Sequence, residues 1–430
     1  MKYFIPLLIF LIAACETKSV HKHHSPEILE AKVIQSRQVI SKRQRLLEDV
    51  NLEQKAVFFE DYILKKMHPD HKFAPKLYIE GKPGKLRMDM TALFLSALAF
   101  KYAVTENPKD KNNILDILKS IKEADRSNGL DGFIPYQIAI QNDKVVSTRN
   151  DTHINVYTQL LFAYIPLLKF AGDDDIQKSV LEHLDLILNH LQKTNFKLTD
   201  HEGKAIDYSD LSPSQFTFQS NRQQLLLIFT DLALYFKLGK DIGSLREKLN
   251  ELDYEDKIQS MHLKIFNLEF PTHSSSWLNL KNSFIGYHIG KAEYYKNAFA
   301  KLYEKYKDEK NILFILMWQS MNKDKNELLY VHDRLMEFPL NPTNHEIINS
   351  LNSDIEPISD APYVKLKREL ELKSPLPFYQ RPMRSFEWKL NQMRVDGNFK
   401  SKGELTYTGI DYLIAYWMLR WLQKDMNVQI

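Results

Sequence analysis

Cysteine is almost missing: Cys15 is the single one in 430 residues. That excludes an intrachain disulfide and a cysteine-ligated zinc site. Charge of one sign is missing too, since 58 Lys and Arg face 55 Asp and Glu for a formal +3. Such a balance offers no electrostatic case for nucleic acid as a partner. Beyond residue 14 no uncharged apolar run approaches the roughly 20 residues a bilayer-spanning helix needs. The P-loop, the nucleotide-binding glycine fingerprint, the His-Glu-x-x-His pair and the Gly-x-Ser-x-Gly elbow are also absent. What remains, 44% apolar and 26% charged, is the composition of an ordinary globular chain held together by burial alone.

The chain opens Met1-Lys2, continues with an apolar stretch over 3–14 and ends it with Ala13-Ala14 directly before Cys15. A charged start, a short apolar run and small residues at its end form a secretion signal. Leu11-Ile12-Ala13-Ala14-Cys15 resembles the bacterial lipoprotein signal. The resemblance implies removal of 1–14, a lipid on Cys15 as the attachment to the membrane, and residence at the bacterial cell envelope. Loss of Lys2 leaves +2, and an address outside the cytoplasm argues further against nucleic acid. Glu16 after the cysteine resembles outer-membrane rather than inner-membrane sorting. Residues 15–24 form a short polar tether, and its His21, His23 and His24 lack the supporting shell that a metal site requires.

Ser25-Pro26-Glu27 is a helix-start signature, and apolar residues follow at Leu29, Val33, Ile40, Leu47, Val50 and Val57. The spacing predicts a long helical arm over 25–67, packed along the main domain. From there helical periodicity alternates in kind. Segments 90–104, 154–170, 218–238, 277–289 and 410–422 are apolar on most sides and are expected to be buried. Segments 111–124, 176–192, 244–251, 293–306 and 325–337 are amphipathic and are expected to lie outside, wet on one face. Tight polar links lead from buried to outer helices, and long segments such as 127–152 and 195–217 lead back. This is a degenerate hairpin repeat.

Such a repeat resembles the (α/α) toroid shared by many glycoside hydrolases, polysaccharide lyases and epimerases. The expected fold is therefore all-α, an (α/α) toroid of about six hairpins over 79–425, with an open solenoid of the same hairpins as the alternative. Residues 338–408 break the rhythm with seven of the 17 prolines and are expected to fold over one rim with short strands.

A shared rim for the long segments gathers the residues at the starts of the buried helices. The candidates for acid, base or orienting roles are Asp89, Asp151, His153 and Asp411. Two of the carboxylates suit glycosidic hydrolysis if their separation fits one of its two geometries. Alternatively His153, with Asn155 and an arginine, suits removal of a proton next to a uronate carboxylate. For each acid, capping a helix start is the plainer reading. Candidate substrate contacts are Arg87, Asn155, Asn221, His273, Trp277, Arg384, Trp388 and Tyr407. Trp277, Tyr379, Trp388 and Tyr407 have faces suited to sugar rings, whereas Trp318, Trp417 and Trp421 read as core. Arg381 and Arg384 suit carboxylates of an acidic glycan. No metal or cofactor is expected.

The final helix, Tyr407-Thr408-Gly409-Ile410-Asp411-Tyr412, together with Asp131-Gly132-Phe133-Ile134-Pro135 and 149–155, resembles uncharacterised bacterial toroid proteins related by fold to carbohydrate-active enzymes. The resemblance spans 79–424 and carries no catalytic assignment. It implies an envelope protein that binds a glycan in the ring and hydrolyses or otherwise modifies it. The alternative is a non-catalytic lipoprotein that binds another envelope component, with the ring filled by Trp277, Trp388 and the excursion.

Overall fold

The computed structural model describes residues 50–428, apart from 76, 80–81, 128, 149–150, 214–219, 240, 261–262, 266–267, 271–272, 339, 341–368, 372–374, 376–387 and 397–404. Cys15, the tether and the arm up to residue 49 therefore lie outside the described residues, as do Tyr379, Arg381 and Arg384.

The described elements alternate between two layers. The outer helices are α1 (Leu52–Lys66), α3 (Pro108–Arg126), α5 (Asp174–Lys193), α7 (Ile242–Glu251) with α8 (Tyr254–Ser260), α10 (Glu293–Tyr306) and α12 (Leu328–Met336). The inner helices are α2 (Met88–Thr105), α4 (Ile154–Lys169), α6 (Ser220–Phe236), α9 (His273–Gly290), α11 (Ile312–Asn322) and α13 (Ile410–Met426). The division follows the sequence pattern. Residues 88–100 of α2 are buried on every side, whereas α5 buries only its Ile176, Val180, Leu184, Ile187 and Leu191 face. Six outer–inner pairs result among the described residues, and α13 packs along α2 to close an (α/α) toroid.

Helix ends are set by local chemistry. Asn107 caps α3 and is followed by Pro108 at its first position. Asp173 caps α5 through the Ile176 amide. Gly409 caps α13 with φ of 81°, and the Phe59 ring lies where a side chain would begin. Only glycine satisfies both demands.

Five of the six outer-to-inner returns carry short antiparallel strands, all at the rim where inner helices begin. They are β1 (Leu77–Ile79), β2 (Lys82–Pro83) and β3 (Leu86–Arg87); β4 (Gln137–Gln141) and β5 (Lys144–Ser147); β6 (Lys197–Thr199) and β7 (Ala205–Asp210); β8 (Leu263–Ile265) and β9 (Leu268–Phe270); β10 (Glu369–Glu371), β11 (Arg394–Asp396) and β12 (Leu405–Tyr407). The sixth return, α10 to α11, is a single tight turn over Lys307–Glu309. Its brevity hid α11 from the periodicity reading, which expected long returns. The excursion contains strands, as expected: β12 pairs with β1, so the last return is stitched to the first.

Residues 52–66 of the arm are built into the ring, where α1 packs on α13. Phe59 packs on Phe338 and Tyr412, and the Tyr412 hydroxyl donates to the Leu52 carbonyl at 2.8 Å. Lys101 of α2 joins Glu60 of α1 to Asp110 of α3, both at 2.7 Å. Lys55 donates to the carbonyls of Met336 and Phe338, and burial brings its ammonium down to about 8 against the opposing pull of Glu337.

The middle of the ring is filled. Helix α9 packs against α4 as well as α6 and α11, and Gly286 lets the Tyr295 ring of α10 press onto its backbone. Away from the strand-bearing rim, Phe100, Phe170, Phe284, His288 and Trp421 stack into an aromatic floor. No helix among the described residues is long and apolar enough to cross a membrane.

Candidate active site at the helical rim

Three extended segments lie side by side at the rim. Arg87 of β3 pairs in register with Gln137 of β4, the Met88 amide donates to the Tyr136 carbonyl at 3.2 Å, and the Tyr136 amide donates to the Asp151 carbonyl at 3.1 Å. The Arg87 guanidinium lies 4.7 Å from the centre of the Tyr136 ring, which in turn lies 6.0 Å from the His153 ring. Residues 151–153 are extended before α4, so alternate side chains point opposite ways. Thr152 turns inward and is buried, while Asp151 is half-buried and His153 exposed.

His153 is also the N-cap of α4: its Nδ1 accepts the Asn155 amide at 3.0 Å. A neutral imidazole that accepts at Nδ1 carries its proton at Nε2. Nε2 is then a donor, which suits His153 to polarise a substrate oxygen better than to remove a proton.

Behind this edge a buried polar chain runs across the ring. Arg87 clamps Asp89 through two hydrogen bonds, the Nε one at 2.8 Å. Asn155 donates to the same carboxylate at 2.9 Å and accepts from Gln159 at 2.8 Å. Gln159 receives the ammonium of Lys281, which sits 3.9 Å from the Trp277 ring centre and 4.0 Å from that of Phe162. Asp89 and Lys281 are both 0% exposed. Burial pushes the Lys281 ammonium well below its ordinary value, opposed by the charges of Asp411 and Asp89. A second branch links Thr158 to Asn282 at 3.1 Å and Asn282 to the Asn221 carbonyl at 3.2 Å.

The sequence-predicted residues thus separate into groups. Arg87, Asp151, His153 and Asn155 share the accessible edge, and Asp89 lies directly beneath it. Asp411 belongs elsewhere: its carboxylate accepts the Trp388 amide at 2.9 Å, its carbonyl accepts the Trp388 indole N–H at 2.7 Å, and Asn311 donates to the Trp388 carbonyl at 2.6 Å. It anchors Trp388 of the excursion onto α13. Trp277 and Trp388, expected as rim platforms, are 4% and 0% exposed; the first lies beneath Lys281 and the second is pinned by Asp411. His273 pairs with Glu309 at 3.0 Å, Asn221 is buried, and Tyr407 lies in β12.

Sequence reasoning passed over Tyr136, Gln159 and Lys281. The available signal for Lys281 was a lysine in the middle of a helix that buries every side; for Tyr136 it was proximity to a return strand that periodicity did not reveal. Among the described residues no group of three or more His, Cys, Asp or Glu side chains is placed to hold a metal ion.

No protein-family model matches the chain, and no curated protein matches it. Among solved structures, a sugar epimerase from a ruminal bacterium aligns over 91% of this chain and 100% of its own, with 11% identity and a TM-score of 0.45. A cellobiose 2-epimerase from Spirochaeta thermophila aligns over 91% and 98%, also at 11% identity and a TM-score of 0.45. A glycoside hydrolase family 76 mannosidase from Bacteroides thetaiotaomicron aligns over 88% and 100%, at 8% identity and a TM-score of 0.44. Likeness at this level carries no chemistry over to this chain.

Proposed function

We propose that this chain is a lipid-anchored protein of the bacterial envelope, outer membrane included, that binds a glycan at the strand-bearing rim and modifies it by proton transfer. The observation that carries the reading is the edge formed by Arg87, Tyr136, Asp151 and His153, with the Arg87 guanidinium aimed by a fully buried carboxylate. Asp151 takes the proton from a carbon beside a carbonyl or carboxylate. The electron pair moves onto that oxygen, where the Arg87 guanidinium and the His153 Nε2 proton receive it. Hydrolysis by Asp89 with Asp411 fits less well, because Arg87 and Asn155 occupy the first carboxylate and the Trp388 amide the second.

A glycan screen of wild type and an Asp151→Asn, His153→Ala double variant tests the reading. Turnover by wild type, and binding without turnover by the folded variant, supports it. Equal turnover by both removes the assignment. The burial of Trp277 and Trp388 also fits a second reading, a non-catalytic lipoprotein that binds another envelope component. For that reading the same screen returns no glycan binding by wild type. Detergent partitioning and mass spectrometry of wild type against Cys15→Ala test the lipid anchor.

A further inference from the structure

β3 presents two faces. Arg87 turns to the rim, and Leu86, one residue earlier, turns the opposite way, as successive side chains of an extended strand do. Behind Leu86, between the end of α1 and the β3–β4 pair, lies a cavity of about 450 Å³. That volume falls within the range of small-molecule sites, roughly 300–1,000 Å³. Its floor is apolar. Met67, Phe73 and Ile138 are buried core residues, and Leu86 and Ile140 extend the same surface.

Its mouth is basic. Lys66, His68, His71 and Lys85 line it, and no acidic side chain does so among the described residues. The two imidazoles are fixed in place: their rings stack 5.2 Å apart at 25°. His71 holds the Glu123 carboxylate at 2.9 Å and the Asp143 carbonyl at 3.0 Å. His68 accepts the Asp70 amide at 3.2 Å and lies 3.7 Å from the Asp143 carboxylate. Glu123 and Asp143 back the imidazoles from outside the lining, and both lysines are exposed at the opening.

An apolar floor under a cationic mouth matches one ligand chemistry. We infer that this cavity binds a small amphipathic carboxylate, with its hydrocarbon body on Phe73, Ile138 and Leu86 and its charge at Lys66 and Lys85. A sugar would leave the hydroxyls that face this floor unpaired. The site is separate from the rim yet joined to it, because Gln137 lines the cavity and pairs in register with Arg87. Occupancy therefore bears on the strands that aim the Arg87 guanidinium.

The probe is octanoate, titrated calorimetrically into the full-length protein, with 1-octanol as the uncharged control and a Lys66→Ala, Lys85→Ala double variant. Both lysines are exposed, so the variant keeps the wild-type melting curve. Saturable octanoate binding at one site is expected, at least tenfold tighter than octanol and at least tenfold weaker in the variant. Absence of saturable binding, equal binding of octanol, or full binding by the variant overturns the inference. None of these readouts depends on turnover at the rim, so failure here leaves the rim reading intact.

Discussion

Replacing Asp89 by alanine removes the acceptor of two Arg87 hydrogen bonds and one from Asn155. The carboxylate is 1% exposed and the Arg87 side chain 16%, so the variant strands a guanidinium with little access to water. Breaking a buried ion pair on one side costs about 3–5 kcal/mol. The stack of Arg87 on Tyr136 and its residual exposure place the expected loss at the lower end, about 3 kcal/mol. Removing both charges together, Arg87→Met with Asp89→Leu, strands neither and should return stability to within about 1–2 kcal/mol of wild type. Urea unfolding followed by circular dichroism measures both, with the midpoint read at constant slope. A loss below about 1 kcal/mol for Asp89→Ala would mean that the pair behaves as a surface one. The account of a buried support beneath the rim would then fail.

Other perturbations test separate parts of the structure. His288 is buried in the aromatic floor, and burial, with Lys291, Lys323 and Lys169 nearby, holds its imidazole well below the ordinary histidine value. The unfolded chain then binds the extra proton first. Its contribution is complete above about pH 6.5 and is lost as pH falls, by up to about 1.4 kcal/mol per pH unit. Urea midpoints of His288→Leu between pH 7 and 5 should fall less steeply than those of wild type; parallel curves would contradict this. Lys281 is likewise depressed by burial, so holding its charge costs stability below its unfolded value of about 10.4. Lys281→Met should therefore unfold at higher urea at pH 7, with the gain shrinking toward pH 10. Gly409→Ala meets both the positive φ and the Phe59 ring and should lower stability by about 2 kcal/mol or more. His153→Ala should lose only its cap, about 1 kcal/mol.

The ring was legible because the inner helices advertise burial on every side, as in 154–168, and the outer ones bury a single face, as in 176–191. What the pattern could not reveal is how α9 leans across the ring against α4. Nor could it reveal that Gly286 admits the Tyr295 ring of α10, a contact between residues with no periodic signature. The short α11 was hidden for a related reason: at 11 residues, after a single tight turn, it offers no long return to mark it. The rim residues Arg87, Asp151, His153 and Asn155 were legible as a dense polar stretch at helix starts. Their order was not, because it is set by Tyr136 and the pairing of β3 with β4. Short strands of two to five residues leave too little alternation to read. Trp277 and Trp388 show the converse limit. An aromatic residue near a loop has the same local sequence whether it faces solvent or, as for Trp388, sits on the Asp411 carboxylate and carbonyl.

The most direct test of the central claim is solvent deuterium exchange. Sugars retained in the glycan screen are incubated with wild type and with Asp151→Asn in D2O and followed by proton NMR. Proton transfer at the rim predicts deuterium at the carbon beside the carbonyl or carboxylate with wild type and none with the folded variant. New reducing ends without deuterium, or equal exchange by the variant, would contradict it.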